Sequence, residues 1–316
     1  MQTKTIATAA EAGTLVGRLQ EGVWQLAALA VALTDDPRRD PEQRRLAQQV
    51  LVELGLMSET SGGIGPGPGL AERMSSGPVD IPAVSAANIL QAAGMLSGAA
   101  AWASQNDEAL LTQGRSSAQA AAAFKMFVLP ALEGLADLFD GESPKMLDVG
   151  VGVGAMAVAY CRTFPELRVV GLDVLPRVLE LARQQVDEAR LADRIELRQQ
   201  DVAGLEDDQA YALAWLPAPF VPRPALEAGL PRLAKALVPG GWLMVAHGKL
   251  HDDPLQDALA RFQTSVYGGA ALDDGEAQSL LREVGLEQVL TFPTPEGAPA
   301  ITVGRRPAGP ASAGAA

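Results

Sequence analysis

The sequence predicts an α/β protein: an open seven-stranded sheet with helices on both faces, preceded by a mainly α-helical N-terminal domain. Three observations predict it. Short apolar runs alternate with helical patterns from about residue 141 onward, as a parallel sheet with crossover helices requires. The first of these runs enters Leu147-Asp148-Val149-Gly150-Val151-Gly152-Val153-Gly154, with an acid and three glycines on alternate positions. The residues before it carry long helical stretches and no strand alternation of comparable length.

The strands follow in order. Met146-Leu147 leads into the glycine turn, and Ala155 to Tyr160 begins a helix after it. Glycine suits such a turn because a side chain would keep the backbone from closing on a ligand and the helix from packing on the sheet. Leu167 to Asp173 is a second apolar run, and its terminal acid falls nineteen residues after Gly154. An acid at that strand tip suits a bidentate bond to two ribose hydroxyls. Arg194 to Val202 alternates and carries Asp201 near its end. Ala212 to Leu216 is the fourth run, and Leu237 to Ala246 the fifth, entered through Pro239-Gly240-Gly241, which reads as a structural turn. Asp273 caps a further helix, and Leu286–Phe292 and Ala300–Val303 close the sheet.

Two ligands compete for such a turn. A dinucleotide loop reads G-x-G-x-x-G, a spacing that Gly150, Gly152 and Gly154 do not have. Asp148 would repel a pyrophosphate at a helix N-terminus but accepts a hydrogen bond from an ammonium group. The ordered pieces over residues 145–305 resemble the class I S-adenosylmethionine-dependent methyltransferases, of the small-molecule type with a winged-helix-like N-terminal domain. The resemblance implies a Rossmann-like sheet and S-adenosyl-L-methionine as cofactor. It implies cofactor-binding positions at Asp148, Gly150, Gly152, Gly154, Asp173, Val174, Asp201 and Val202, with Asp201 toward the adenine amino group. Asp173 and Asp201 also have a plain reading as strand-end or capping residues.

The N-terminal residues, taken as a domain over 1–140, read as helices at Glu11–Leu33 and Glu42–Leu54, the second ending at Gly55. A glycine-rich loop at 61–69 and a short helix at Leu70–Met74 follow. This order resembles the degenerate winged helix of small-molecule O-methyltransferases, which implies a homodimer through the N-terminal domain. Helical patterns continue at Ile81–Ala103, Asn106–Leu111 and Ser116–Phe139, the last kinked by Pro130. In the family the helix before the first strand closes over the cofactor; Phe124 and Met126 are candidates, although core packing is the plainer reading for both. The methyltransferase domain spans 141–305, and 306–316, rich in Ala, Gly and Pro, reads as a disordered tail.

Methyl transfer needs a nucleophile placed in line with the sulfonium and sometimes a base. Plant-type relatives place a histidine just after the fourth strand. Here that region is Trp215-Leu216-Pro217-Ala218-Pro219-Phe220, without histidine or acid. Trp215, Pro217 and Phe220 are instead expected to wall a substrate pocket. Leu216 stands where amino methyltransferases carry an Asn or Asp, and its side chain cannot bond an amine. The two histidines, His247 and His251, both follow the fifth strand. His247 is the candidate base; a metal site with His251 and an acid, or two loop histidines, are the alternatives. No metal is expected.

Composition narrows the function. With 48% hydrophobic residues the chain can bury a core, and a net charge of −13 disfavours both nucleic acid and an anionic membrane surface. The single cysteine, Cys161, excludes an internal disulfide and reads as a core residue. No export signal or membrane span is read, so the protein is expected in the cytoplasm with a small-molecule substrate. Three functions stay open: methyl transfer to oxygen or nitrogen of a small molecule, a non-methylating cyclisation or rearrangement on the same fold, and a non-enzymatic regulator.

Overall fold

The computed structural model describes residues 8–34, 37, 40–60, 62–75, 80–96, 106–248, 253–294 and 299–308. The chain divides into two compact units, Met1–Ala93 and Gly94–Ala316.

In the first unit, α1 (Ala9–Leu33) starts at a capping box, in which Thr8 and Glu11 each satisfy the other's backbone N–H. Helix α2 (Pro41–Glu53) has Asp40 as its cap and proline in its first turn. It ends as the sequence suggests, at Gly55 with φ +72°. There Leu56 N–H donates to Leu51 C=O and Gly55 N–H to Val52 C=O, the paired bonds of a Schellman cap. The glycine-rich segment forms a small hairpin, β1 (Met57–Thr60) and β2 (Gly63–Pro66), followed by α3 (Pro68–Ser75) and α4 (Ile81–Leu96). Ala28, Ala32, Ala47, Leu51, Met57 and Leu70 make its core. Helix, helix and hairpin match the winged-helix-like expectation.

The second unit opens with α5 (Asp107–Ser117), capped by Asn106, then α6 (Ala120–Ala123). The long helix expected over 116–139 is broken. Chain 124–128 widens into a π turn, Leu129–Ala131 tightens into a 3₁₀ turn around Pro130, and Gly134 (φ +75°) precedes α7 (Leu135–Phe139). Pro130 lacks the N–H that a continuous helix would bond, and the winding changes on either side of it. Phe124 is buried, in an aromatic cluster with Phe139, Tyr160 and Phe164, so it serves the core. Met126 is exposed.

The sheet is built from β3 (Lys145–Val149), β4 (Arg168–Asp173), β5 (Ile195–Gln199), β6 (Tyr211–Pro217), β7 (Leu237–His247), β8 (Glu287–Phe292) and β9 (Ala300–Arg305). Their order is β5-β4-β3-β6-β7-β9-β8, parallel except for β9, which runs against both neighbours. Helices α8 (Ala155–Thr163), α9 (Pro176–Glu188), α10 (Arg223–Ala236), α11 (Pro254–Tyr267) and α12 (Asp274–Glu283) complete the unit. Two cores result. One packs the sheet against α10 and α12, the other against the segment before β3, α8 and α9. This is the predicted seven-stranded α/β fold.

Two boundaries differ from expectation, and the glycine pair before the fifth strand's core agrees with it. The helices of 107–139 pack with the sheet, Leu110 against Val153 and Val178, so the units divide near residue 93 and not 140. Gly240 and Gly241 lie inside β7, where the register against β6 shifts. There Gly240, at φ +81° after Pro239, brings Gly241 back over the Val238 carbonyl oxygen, 2.9 Å from where a Cβ would stand, which is the tight turn expected of Pro239-Gly240-Gly241. Residue 306, expected in the tail, is instead fixed: Arg306 N–H donates to Gly241 C=O, and its guanidinium donates to Lys235 C=O. Residues 309–316 lie outside the described residues.

Candidate active site

Strand order reverses between β3 and β6, and in open α/β sheets the carboxyl ends of the strands at such a point form the ligand crevice. The glycine turn sits there. Gly150, Gly152 and Gly154 have φ of +65°, +56° and +77°, conformations that side-chain-bearing residues rarely adopt. Each glycine meets a different neighbour. A Cβ at Gly150 would touch Pro217 at 3.5 Å, and one at Gly154 would touch Ala182 of α9 at 3.4 Å. A fourth glycine belongs to the turn without any motif to mark it in sequence: at Gly171 in β4 a Cβ would press on the Val151 side chain at 2.6 Å. That gap lets Val151 N–H reach Leu172 C=O at 2.9 Å and pins the turn to the second strand.

Two carboxylates flank the turn. Asp148 in β3 is 1% exposed, and neither of its oxygens has a hydrogen-bond partner among the described residues. Burial, with the Asp173 charge adding to it, pushes its carboxyl up to about 8. A bare, buried carboxyl at the ligand end of a strand is an acceptor without a donor, and a cationic or N–H-bearing ligand group would supply one. Asp173 ends β4 and accepts from Gly152 N–H at 3.1 Å and Leu175 N–H at 3.0 Å. Burial raises its carboxyl, and those backbone N–H groups offset part of the rise. It therefore ties the two strand ends together.

The other expected cofactor positions diverge. Val174 is exposed beside Asp173, free to lie against a ligand. Asp201 is exposed and caps the 3₁₀ turn Val202–Gly204 through Ala203 N–H, the plain reading that its sequence position allowed. The Val202 side chain faces the core, where a Cβ at Gly229 of α10 would meet it at 2.8 Å. Only its backbone remains for a ligand.

At the β6 end, Trp215 and Pro217 are half-buried, Trp215 opposite Asp148 in register and Pro217 over Gly150. Leu216, between them, is wholly buried in the core. Phe220 stacks on Tyr267, the last residue of α11, with ring centroids 4.7 Å apart, a partner not legible in sequence because it is remote along the chain. The chain after α11 is drawn close: Ala270 N–H donates to Ala218 C=O, and a Cβ at Gly269 would overlap the Pro219 carbonyl.

His247 corrects an expectation. It closes β7 at 0% exposure, with Nε2 2.8 Å from Thr302 Oγ1 of β9 and Nδ1 3.3 Å from Gly248 O. Thr302 in turn bonds Thr291 of β8, which accepts from Gln278 of α12. The side chain follows Leu243 and Val245 onto the α10–α12 face of the sheet, where it joins strands to helix. Both ring nitrogens are engaged and the ring has no solvent face, so the geometry does not support a base. His251, required for the metal alternative, lies outside the described residues. Cys161 is buried in α8, and burial pushes its thiol up to about 11, as a core residue requires.

An α/β sheet carrying a glycine turn and two acids at its reversal point is a cofactor-binding domain. Residues 146–241 match the family described as methyltransferase domain. The release factor glutamine methyltransferase of Rhodopirellula baltica is 33% identical over 108 residues, which cover 34% of this chain and 36% of that protein. Alignments to this and three further curated relatives of the same name span between 36% and 59% of their length. An O-methyltransferase family protein from Burkholderia thailandensis has the same fold over 97% of this chain and 100% of its own, with TM-score 0.56 and 16% identity. Human N-acetylserotonin methyltransferase, solved in complex with S-adenosylmethionine, matches 96% of this chain and 100% of its own at TM-score 0.55 and 16% identity. No helix among the described residues is long and apolar enough to cross a membrane.

Proposed function

We propose that this protein is an S-adenosylmethionine-dependent methyltransferase acting on oxygen or nitrogen of a small, largely apolar molecule. The observation that carries the reading is Asp148, buried and without a hydrogen-bond partner among the described residues, beside a glycine turn that three left-handed glycines hold open. These residues fit the cofactor: Asp148 and the turn would hold its amino-acid end, and Asp173 with Val174 its ribose. When bound, S-adenosylmethionine supplies an activated methyl group on a sulfonium.

The chain's own contribution is binding, orientation and exclusion of water. Trp215, Pro217 and Phe220 present apolar and aromatic surface beside the turn, suited to a flat apolar substrate. The β6 exit carries no titratable side chain between Trp215 and Phe220, and the His247 ring is committed elsewhere. Catalysis by proximity follows, with the acceptor arriving as a good nucleophile or losing its proton to solvent. The buried Leu216, in place of an amide-binding residue, weighs against protein glutamine as substrate, despite the names of the curated relatives. A homodimer is part of the same reading. Along the first five turns of α1, Leu15, Val16, Leu19, Val23 and Trp24 stay exposed, Trp24 at 77%, and an apolar helix face of this length calls for a second copy.

The test is methyl transfer from cofactor labelled in the methyl group to a panel of phenolic and amine acceptors. Labelled product is expected. Cofactor binding with conversion of substrate but no label transferred would favour the cyclisation or rearrangement reading instead.

A further inference from the structure

Helix α5 lies outside the stretch matched to the methyltransferase family, yet it contacts the glycine turn directly. Val153, between Gly152 and Gly154, turns its side chain outward from the crevice loop and buries it against Leu110 of α5 and Val178 of α9. Directly above Val153, α5 carries Gly114. A Cβ there would overlap Cγ2 of Val153 and stand 3.3 Å from Cβ of Ala155. The valine cannot readily yield, because it is β-branched, stiff at χ1 and enclosed on its other sides. Gly114 is helical and has no positive φ, so local backbone geometry gives no reason for a glycine in mid-helix, where it weakens the helix relative to alanine. Its reason is the close approach. Helix α5 is also held at its other end, where Asp107 pairs with Arg177 in the first turn of α9.

We propose that α5 is a latch for the cofactor turn, and that Gly114 is the positioning residue that lets it close. The contact runs from Gly114 to Val153, from Val153 through the backbone to Gly152, and from Gly152 N–H to Asp173, so a displaced Val153 disturbs the bond that joins the two strand ends. The latch sets cofactor affinity without touching the cofactor. The inference rests on the proposed cofactor-binding function.

The experiment titrates S-adenosylhomocysteine into the full-length wild type, Gly114→Ala, Val153→Ala and the double variant, with circular dichroism to check folding. Gly114→Ala is expected to weaken binding about tenfold, the usual scale of overpacking one methyl in a tight contact. Val153→Ala empties the space that the new Cβ needs. The double variant should therefore bind more tightly than either single one and return to within about threefold of wild type. That mutual rescue of affinity is read at a temperature where all variants are folded, so a general loss of stability would not produce it. Should Gly114→Ala fail to fold alone, the comparison of the double variant with Val153→Ala decides. Wild-type affinity in Gly114→Ala, or a double variant no better than Val153→Ala, overturns the latch while leaving the function intact. A wild type that binds no S-adenosylhomocysteine overturns both.

Discussion

Asp148 is the residue on which the site turns. Its side chain is close enough to α8 for its charge to be felt at Tyr160, and it has no hydrogen-bond donor among the described residues. Its folded value of about 8 lies above the ~3.9 of an unfolded chain, so the native state holds a proton that the unfolded state has released. Stability from this group is fully present below about pH 4 and is lost as pH rises toward 8, with a slope of at most about 1.4 kcal/mol per pH unit. Asp148→Asn should flatten that decline, leaving the ligand-free protein more heat-resistant than wild type at pH 8 but a weaker cofactor binder. Equal melting profiles of the two proteins from pH 5 to 8 would show that Asp148 is charged in the free protein. The acid and the glycines were legible in sequence because their spacing alone marks a strand-to-helix turn. The lack of a partner was not, since it depends on which side chains from other elements fail to arrive.

At the scale of elements, the strands were readable and their side-chain commitments were not. His247 shows why. Its place at the end of the fifth strand could be read from the apolar run before it, but period-two alternation leaves open which face a strand's last residue takes. The structure turns it to the α12 face, into a chain that links β7, β9, β8 and α12. Removing the ring would leave Thr302 short of a partner and open a cavity in a closed layer. His247→Ala is expected to cost about 1–3 kcal/mol of stability while turnover per folded enzyme stays within about tenfold. A fall in kcat of about 10²-fold or more with unchanged stability would return the imidazole to the role of base. Helix α5 shows the same limit. In sequence it shows only as the short pattern Asn106–Leu111, and its packing on Val153 is what assigns it to the sheet unit.

For the whole molecule, the succession of pieces along the chain carried the fold: turn, acid, alternating strand, apolar strand and glycine-interrupted strand are β3 to β7, which the sheet arranges as β5-β4-β3-β6-β7. What lies between units was not legible, because linker composition shifts little across residues 76–105. The exposed face of α1 makes assembly a matter of stability as well as symmetry. A homodimer is expected by light scattering at micromolar concentration, and Leu19→Glu should shift it toward monomer; a monomeric wild type would contradict the dimer. The central claim is that the crevice where strand order reverses binds S-adenosylmethionine through Asp148, the glycine turn and Asp173. Calorimetric titration of S-adenosylmethionine into wild type and Asp173→Ala tests it most directly. The account predicts one site per chain in the wild type, weakened in the variant by the ~1.5–3 kcal/mol typical of hydrogen bonds to a charged group. Absent binding in the wild type, or equal affinity in the two proteins, would contradict it.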